Sequence, residues 1–187
     1  MLTYRSAEWD RQLRMLRQHG MSVPDTVRHS ASRIVFEAYP VLGYNYRLTD
    51  IQAAVGCVQM ERLPDILGRR REIAARYMTA LDGHPFLQLP IEPVYARTNW
   101  QSFPVRVCPR SPISRDACMQ RLLEAGIATR RGIMNAHREP AYYRNGKPAI
   151  TLPHSEAAQD CVMLLPLFPD MSIEQVDQVV EALYTLC

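Results

Sequence analysis

The densest set of residues able to do chemistry is GYNYRLTD at 43–50, where Tyr44, Asn45, Tyr46 and Arg47 run into a helix start at Thr49 and Asp50. A helix start presents backbone N–H groups without intrahelical partners and the positive end of the helix dipole. An amide donor and a planar guanidinium just ahead of it match the oxygens of a phosphate or a carboxylate. The same spacing also suits a plainer arrangement, in which Arg47 pairs with a local acid and the two tyrosines fill a helix packing surface. Other chemistries find little support. The histidines, His19, His29, His84, His137 and His154, show no metal-ligand spacing, no glycine-rich loop follows a predicted strand, and no G-x-S-x-G is present. Of the 22 basic residues only Lys147 is a lysine. It sits in YRNGKPAI, an Asn-Gly turn, where nothing in the local sequence suggests the burial that activates a lysine nucleophile.

The elements that must position these groups are marked by caps and stops. Ser6 caps a helix with Trp9, Leu13 and Leu16 on one face and Gly20 as its stop, and residues 21–40 read as a long loop. Thr49 and Gln52 form a capping box for a helix with Ile51, Val55 and Val58 at helical spacing. Pro64 suits the first turn of a second helix, of four to five turns, with Ile66, Ile73, Tyr77 and Leu81 on its buried stripe and its end near Gly83. Residues 84–99 are proline-rich and read as a connection between two bodies. Phe103, Val105 and Val107 alternate as in a half-buried strand, which Pro104 places at an edge or at its own beginning. Ser114 opens a helix with Cys118, Leu122 and Leu123 inward and Gly126 as its stop, and IATRRGIM is a candidate second strand. SEAAQDCVMLL reads as a short helix, LPLFP as a tight apolar turn, and the last segment as an amphipathic helix boxed by Ser172 and Gln175, with Val176, Val179 and Leu183 inward. These last hundred residues indicate a small α/β or α+β sandwich.

Composition narrows the class of protein. A hydrophobic fraction of 47% is globular in character, and no apolar run approaches the roughly 20 residues that span a bilayer. The charged N-terminus lacks the apolar centre of a secretory signal, so a cytoplasmic protein is expected, with no membrane partner. The five cysteines, Cys57, Cys108, Cys118, Cys161 and Cys187, are scattered and give no support to a disulfide framework or a zinc site; most are expected to be buried thiols. A net charge of +3 is weak, and the cluster GRRREIAARY at 68–77 reads as a solvated helical face rather than a nucleic-acid surface.

GYNYRLTDIQAAVG, followed by the RRREIAARY helix, closely resembles the segment G-x-N-Y-R-L-T-[DE]-I-Q-A-A-x-G of the DegT/DnrJ/StrS sugar aminotransferases, fold-type I enzymes that use pyridoxal phosphate. LRQHG at 16–20, LLEAGIATRRGIMNAHREPAYY and LPHSEAAQDCVMLLPLFPDMS continue the likeness along the chain. The resemblance implies an α/β fold class: the C-terminal part of a fold-type I transferase, with helices from the end of the large domain (1–83), a connection (84–99) and a small α+β C-terminal domain (100–187). It also implies that Asn45 reaches the cofactor phosphate across a homodimer interface with Arg47 beside it. Tyr44, Tyr46 and His137 are implied on the substrate side and His19 near the site, although His137 could equally be an ordinary hydrogen-bonded histidine. No catalytic residue and no metal ligand is assigned. In the family the cofactor lysine and the acid at the ring nitrogen precede the stretch that this chain resembles.

The expectation is therefore a truncated aminotransferase that does not bind pyridoxal phosphate covalently. Its reaction in the family is amino transfer to a nucleotide-bound keto-sugar, in polysaccharide or secondary-metabolite biosynthesis. Two alternatives stand beside it: half of a split transaminase completed by a separate large-domain chain, and a noncatalytic binding or assembly module. Helices at 7–18 and 50–62 are expected to show exposed apolar faces.

Overall fold

A computed structural model describes residues 2–186, with the backbone alone at 25, 26, 29 and 186. The chain divides into two compact units, 1–61 and 62–187. The boundary falls ahead of the long helix rather than at the proline-rich stretch 84–99, because that helix gives its apolar stripe to the core of the second unit.

In the first unit, α1 (Ala7–Leu16) begins where Trp9 N donates to Ser6 Oγ, and the chain leaves it through Gly20 at φ 75°. The stretch expected to be a plain loop contains a short helix, α2 (Asp25–Ser30). α3 (Asp50–Glu61) starts at the anticipated box: Thr49 N donates to Gln52 Oε1 and Gln52 N to Thr49 Oγ1. Neither α1 nor α3 buries a residue, and Ile51, Val55 and Val58 are 81%, 59% and 53% exposed.

The second unit is a four-stranded antiparallel sheet with helices packed on it. Its strands β1 (Leu87–Gln88), β2 (Phe103–Val107), β3 (Arg130–Arg131) and β4 (Val162–Leu165) lie in the order β1-β2-β4-β3. The helices are α4 (Leu63–Ala80), α5 (Arg115–Glu124), α6 (Pro153–Cys161) and α7 (Ile173–Leu186). Phe103, Val105, Met163 and Leu165 from the central strands meet Ile73, Tyr77 and Leu81 of the α4 side, Cys118 and Leu122 of α5, and Val176 and Leu183 of α7 in one apolar core. Tyr77 is fully buried, with its hydroxyl donating to Pro166 O at 3.0 Å, and desolvation drives that hydroxyl far above its ordinary pKa.

Several expectations change here. VMLL is strand β4, not the end of a helix: the helix stops at Cys161, all four apolar residues pair with β2, and Met163 and Leu164 also pair with β3. A short apolar run does not announce its own period, and only its neighbours decide. β2 is a central strand despite Pro104. β1 pairs only with Arg106 and Val107, so Pro104 has a neighbour on one side alone and its missing N–H costs no ladder bond on the other. Leu123 is 58% exposed, one position off the buried stripe of Cys118 and Leu122.

The arginine run of α4 is not a solvated face. Arg69 donates to Met171 O, Arg70 to Trp100 O and Gln101 O, and Arg71 to Thr98 O, so the three guanidiniums tie down carbonyls that no strand or helix serves. The cysteines also differ from expectation: Cys118 is disulfide-bonded, while Cys57, exposed, and Cys108 and Cys161, half-buried, are free thiols. Sequence spacing carries no information on which sulfurs approach each other in space. Cys187 lies outside the described residues.

Candidate functional site

The loop at 43–47 is held by the chain that leaves α1. Tyr44 N donates to Leu16 O at 2.7 Å, Tyr46 N to Arg17 O at 2.9 Å, and His19 N to Tyr44 O at 2.9 Å, so Gln18 and Asn45 face each other as an antiparallel bridge. Two glycines permit this closeness. A Cβ on Gly43 would lie 1.9 Å from Gly20 N, and one on Gly20 would lie 2.0 Å from Val41 O. No side chain fits at either position.

On this clamp the polar groups cluster. Arg47 Nε donates to Asn45 Oδ1 at 3.1 Å, and Arg47 Nη2 lies 3.2 Å from His19 Nε2. The Asn45 oxygen is thereby engaged, and its NH₂ is the donor end of the amide. Tyr44 and Tyr46 stack in parallel at 5.2 Å, both exposed, rather than filling a packing surface. The helix start itself contributes less than its position suggested. Thr49 and Gln52 cap each other and Asp50 puts a carboxylate in the first turn, so the positive end of the helix is already met within the chain.

His137 belongs to the second unit. It sits on a 3-10 turn (Ala136–Arg138) fastened to one face of α6: Asn135 N donates to Gln159 Oε1 at 2.7 Å, His137 Nε2 meets Glu156 Oε1 at 2.9 Å, and Arg138 Nη1 donates to both Asp160 oxygens at 2.8 and 2.9 Å. Glu156 also accepts from Leu152 N, and that bond, followed by His137, holds its carboxyl below the ordinary range. With one-tenth of its side chain exposed, His137 is a fastened group rather than a mobile surface one. Sequence reasoning missed Glu156, Gln159 and Asp160; their i, i+3, i+4 spacing was the available signal.

Lys147 is exposed and closes a turn with Arg144 through Asn145 and Gly146, both at positive φ. A cavity of about 720 Å³ opens between α5 and β3, lined by Arg115, Thr129, Arg130 and Arg131 among others. Arg115 there serves the fold, donating to Gln159 O and Val162 O. Among the described residues no cluster of His, Cys, Asp or Glu is placed to hold a metal, and no helix is long and apolar enough to cross a membrane.

The chain as a whole has counterparts in known proteins. The sequence profile of the DegT/DnrJ/EryC1/StrS aminotransferase family matches residues 1–184, and the chain belongs to that family. Among solved structures it resembles DesV of S. venezuelae, determined with a ketimine intermediate, at 29% identity and a TM-score of 0.78, covering 96% of this chain and 44% of that one. It is similar to the aminotransferase TlmJ of Streptoalloteichus hindustanus at 28% identity and a TM-score of 0.78, covering 97% and 45%. The sugar aminotransferase CalS13 of Micromonospora echinospora matches at 25% identity and a TM-score of 0.71, covering 92% and 43%. The chain thus spans less than half the length of these relatives.

Proposed function

We propose that this chain is the C-terminal portion of a pyridoxal-phosphate-dependent nucleotide-sugar aminotransferase, acting in the cytoplasm as part of a homodimer. The reading is supported by the family membership, by the 44% coverage of a relative, and by the clamped cluster of Asn45, Arg47 and His19. That cluster carries it furthest: an amide NH₂ and a guanidinium on one clamped loop, with an imidazole against the guanidinium, fit the oxygens of the cofactor's phosphate monoester. When bound, pyridoxal phosphate supplies the electron sink for moving an amino group between carbon skeletons.

Within this chain, Asn45 and Arg47 hold phosphate oxygens, the Tyr44–Tyr46 stack offers a flat apolar surface beside them, and His137, steadied by Glu156, is the substrate-side polar group. The amine that binds the cofactor covalently comes from outside these residues, since the only lysine stands exposed on a turn. The chain alone then performs no amino transfer. Incubation with pyridoxal phosphate followed by borohydride is expected to leave Lys147 unmodified by mass spectrometry; a stoichiometric phosphopyridoxyl adduct on Lys147 would overturn the reading.

The partial coverage also favours a second form of the same reading, a split transaminase whose large domain is another chain. Co-expression with a large-domain polypeptide from the same locus tests it, a stable complex that binds cofactor being the expected outcome. Self-association without cofactor or nucleotide-sugar binding would instead favour a noncatalytic assembly module.

A further inference from the structure

We infer that His19 is a positioning residue for Arg47, fixing the guanidinium that receives a phosphate monoester on the loop at 43–47; the inference rests on the reading of that loop as a phosphate site. Three independent features of the clamp lead to it. First, Arg47 is gripped at two nitrogens, Nε by Asn45 Oδ1 at 3.1 Å and Nη2 by His19 Nε2 at 3.2 Å. Two fixed donors set the plane of a group that otherwise carries five N–H donors on a freely rotating stem. A guanidinium only donates, so in this bond His19 Nε2 is the acceptor.

Second, His19 has φ 58°, in the left-handed region that few residues other than glycine adopt. Its backbone is held there by the bond from His19 N to Tyr44 O and by the Gln18–Asn45 bridge. Such outliers persist where the surrounding structure over-determines them, as at ligand clamps. Third, the close approach of Gly20 and Gly43 brings position 19 beside the loop that carries Arg47. The backbone pattern and the side-chain pattern thus converge on the same residue, from segments far apart in sequence.

Without the imidazole, Arg47 loses one of its restraints, and the ligand must supply more of the ordering. Immobilising one such side chain corresponds to a loss of about fivefold in affinity. The test is titration of the full chain with inorganic phosphate, following the Arg47 Nε–H signal by NMR in the wild type and in two variants. His19→Asn tolerates positive φ but is too short to reach Arg47, whereas His19→Gln returns an acceptor oxygen at similar reach. The wild type is expected to show a saturable shift, His19→Asn a roughly fivefold weaker one with amide protection at 44–46 unchanged, and His19→Gln recovery of most of the difference. Equal affinity of the wild type and His19→Asn, or Gln no better than Asn, overturns the positioning role while leaving the phosphate loop standing. No saturable shift in the wild type overturns the phosphate loop, and the role of His19 with it.

Discussion

The two units of this chain are built on different principles. Residues 62–187 bury a continuous apolar core from α4, α5, α7 and the sheet, whereas among the described side chains of residues 2–61 only Gln18, Gly20 and Met21 are buried. What orders the first unit is backbone: a clamp of main-chain bonds made possible by two glycines, followed by a helix whose apolar residues face outward. A region can thus hold a loop in a defined shape without a core, provided that steric contact and hydrogen bonds fix it. The same region has little apolar burial to offset the conformational entropy of its ordering. Scattered exposed apolar residues are ordinary, whereas Ile51, Val55 and Val58 expose a stripe along α3.

The contrast can be broken at four places. The largest effect is expected in the core of the second unit. Phe103→Ala should destabilise it by about 3–5 kcal/mol, whereas Val58→Ala on α3 should change stability by less than about 0.5 kcal/mol, both read from urea denaturation. Comparable losses from the two substitutions would mean that α3 is covered after all.

Next comes the clamp. Gly43→Ala forces a methyl group to within 1.9 Å of Gly20 N and should open the loop at a cost of about 3 kcal/mol. Hydrogen exchange should then show lost protection at Tyr44 and Tyr46 with β2 and β4 unchanged. Retained protection at 44–46 would refute the steric account of the clamp.

A smaller, pH-dependent effect belongs to His84. It is buried against the end of α7, with Nδ1 accepting from Phe86 N at 3.2 Å and Nε2 toward Leu183 O at 3.4 Å, and desolvation holds its pKa below the ordinary 6.5. The unfolded chain therefore binds this proton more readily than the folded one. The favourable contribution is intact above about pH 6.5 and is lost as the pH falls from there toward the folded-state value. Thermal melts of the second unit should drop across that interval, and His84→Gln should flatten the drop; an unchanged slope in the variant would remove His84 from the account.

The smallest effect has the opposite sign. A Cβ on Gly56 meets nothing within 4 Å, so Gly56→Ala should stabilise α3 by about 0.5–1 kcal/mol through its backbone entropy, visible as added helicity in circular dichroism. A loss of helicity would show that this face of α3 is closely approached by another surface.

Much of the scaffold was legible in the sequence because its signals are local. Ser6, Thr49–Gln52, Ser114 and Ser172–Gln175 cap the helices they were expected to cap, and Gly20, Gly83 and Gly126 stop helices at positive φ. The likeness of 43–56 to a known segment picked out the loop itself. The partners that give that loop its shape were not legible, because Leu16, Arg17 and His19 are linked to Tyr44, Tyr46 and Arg47 by contacts that sequence spacing does not encode. The fastening of His137 to α6 and the roles of the α4 arginines were hidden for the same reason.

The sequence by itself determined where helices begin and end, which residues have the chemistry to meet an anion, and that a lone lysine stands on a turn. Each of these depends on a few neighbouring residues and their backbone preferences. Only the tertiary structure decided that VMLL is a strand, that Pro104 lies in a central one, that Cys118 is bridged, and that His19 grips Arg47. Those outcomes depend on which distant segments come within hydrogen-bonding or bonding distance, and that is set by packing of the whole chain rather than by any local pattern.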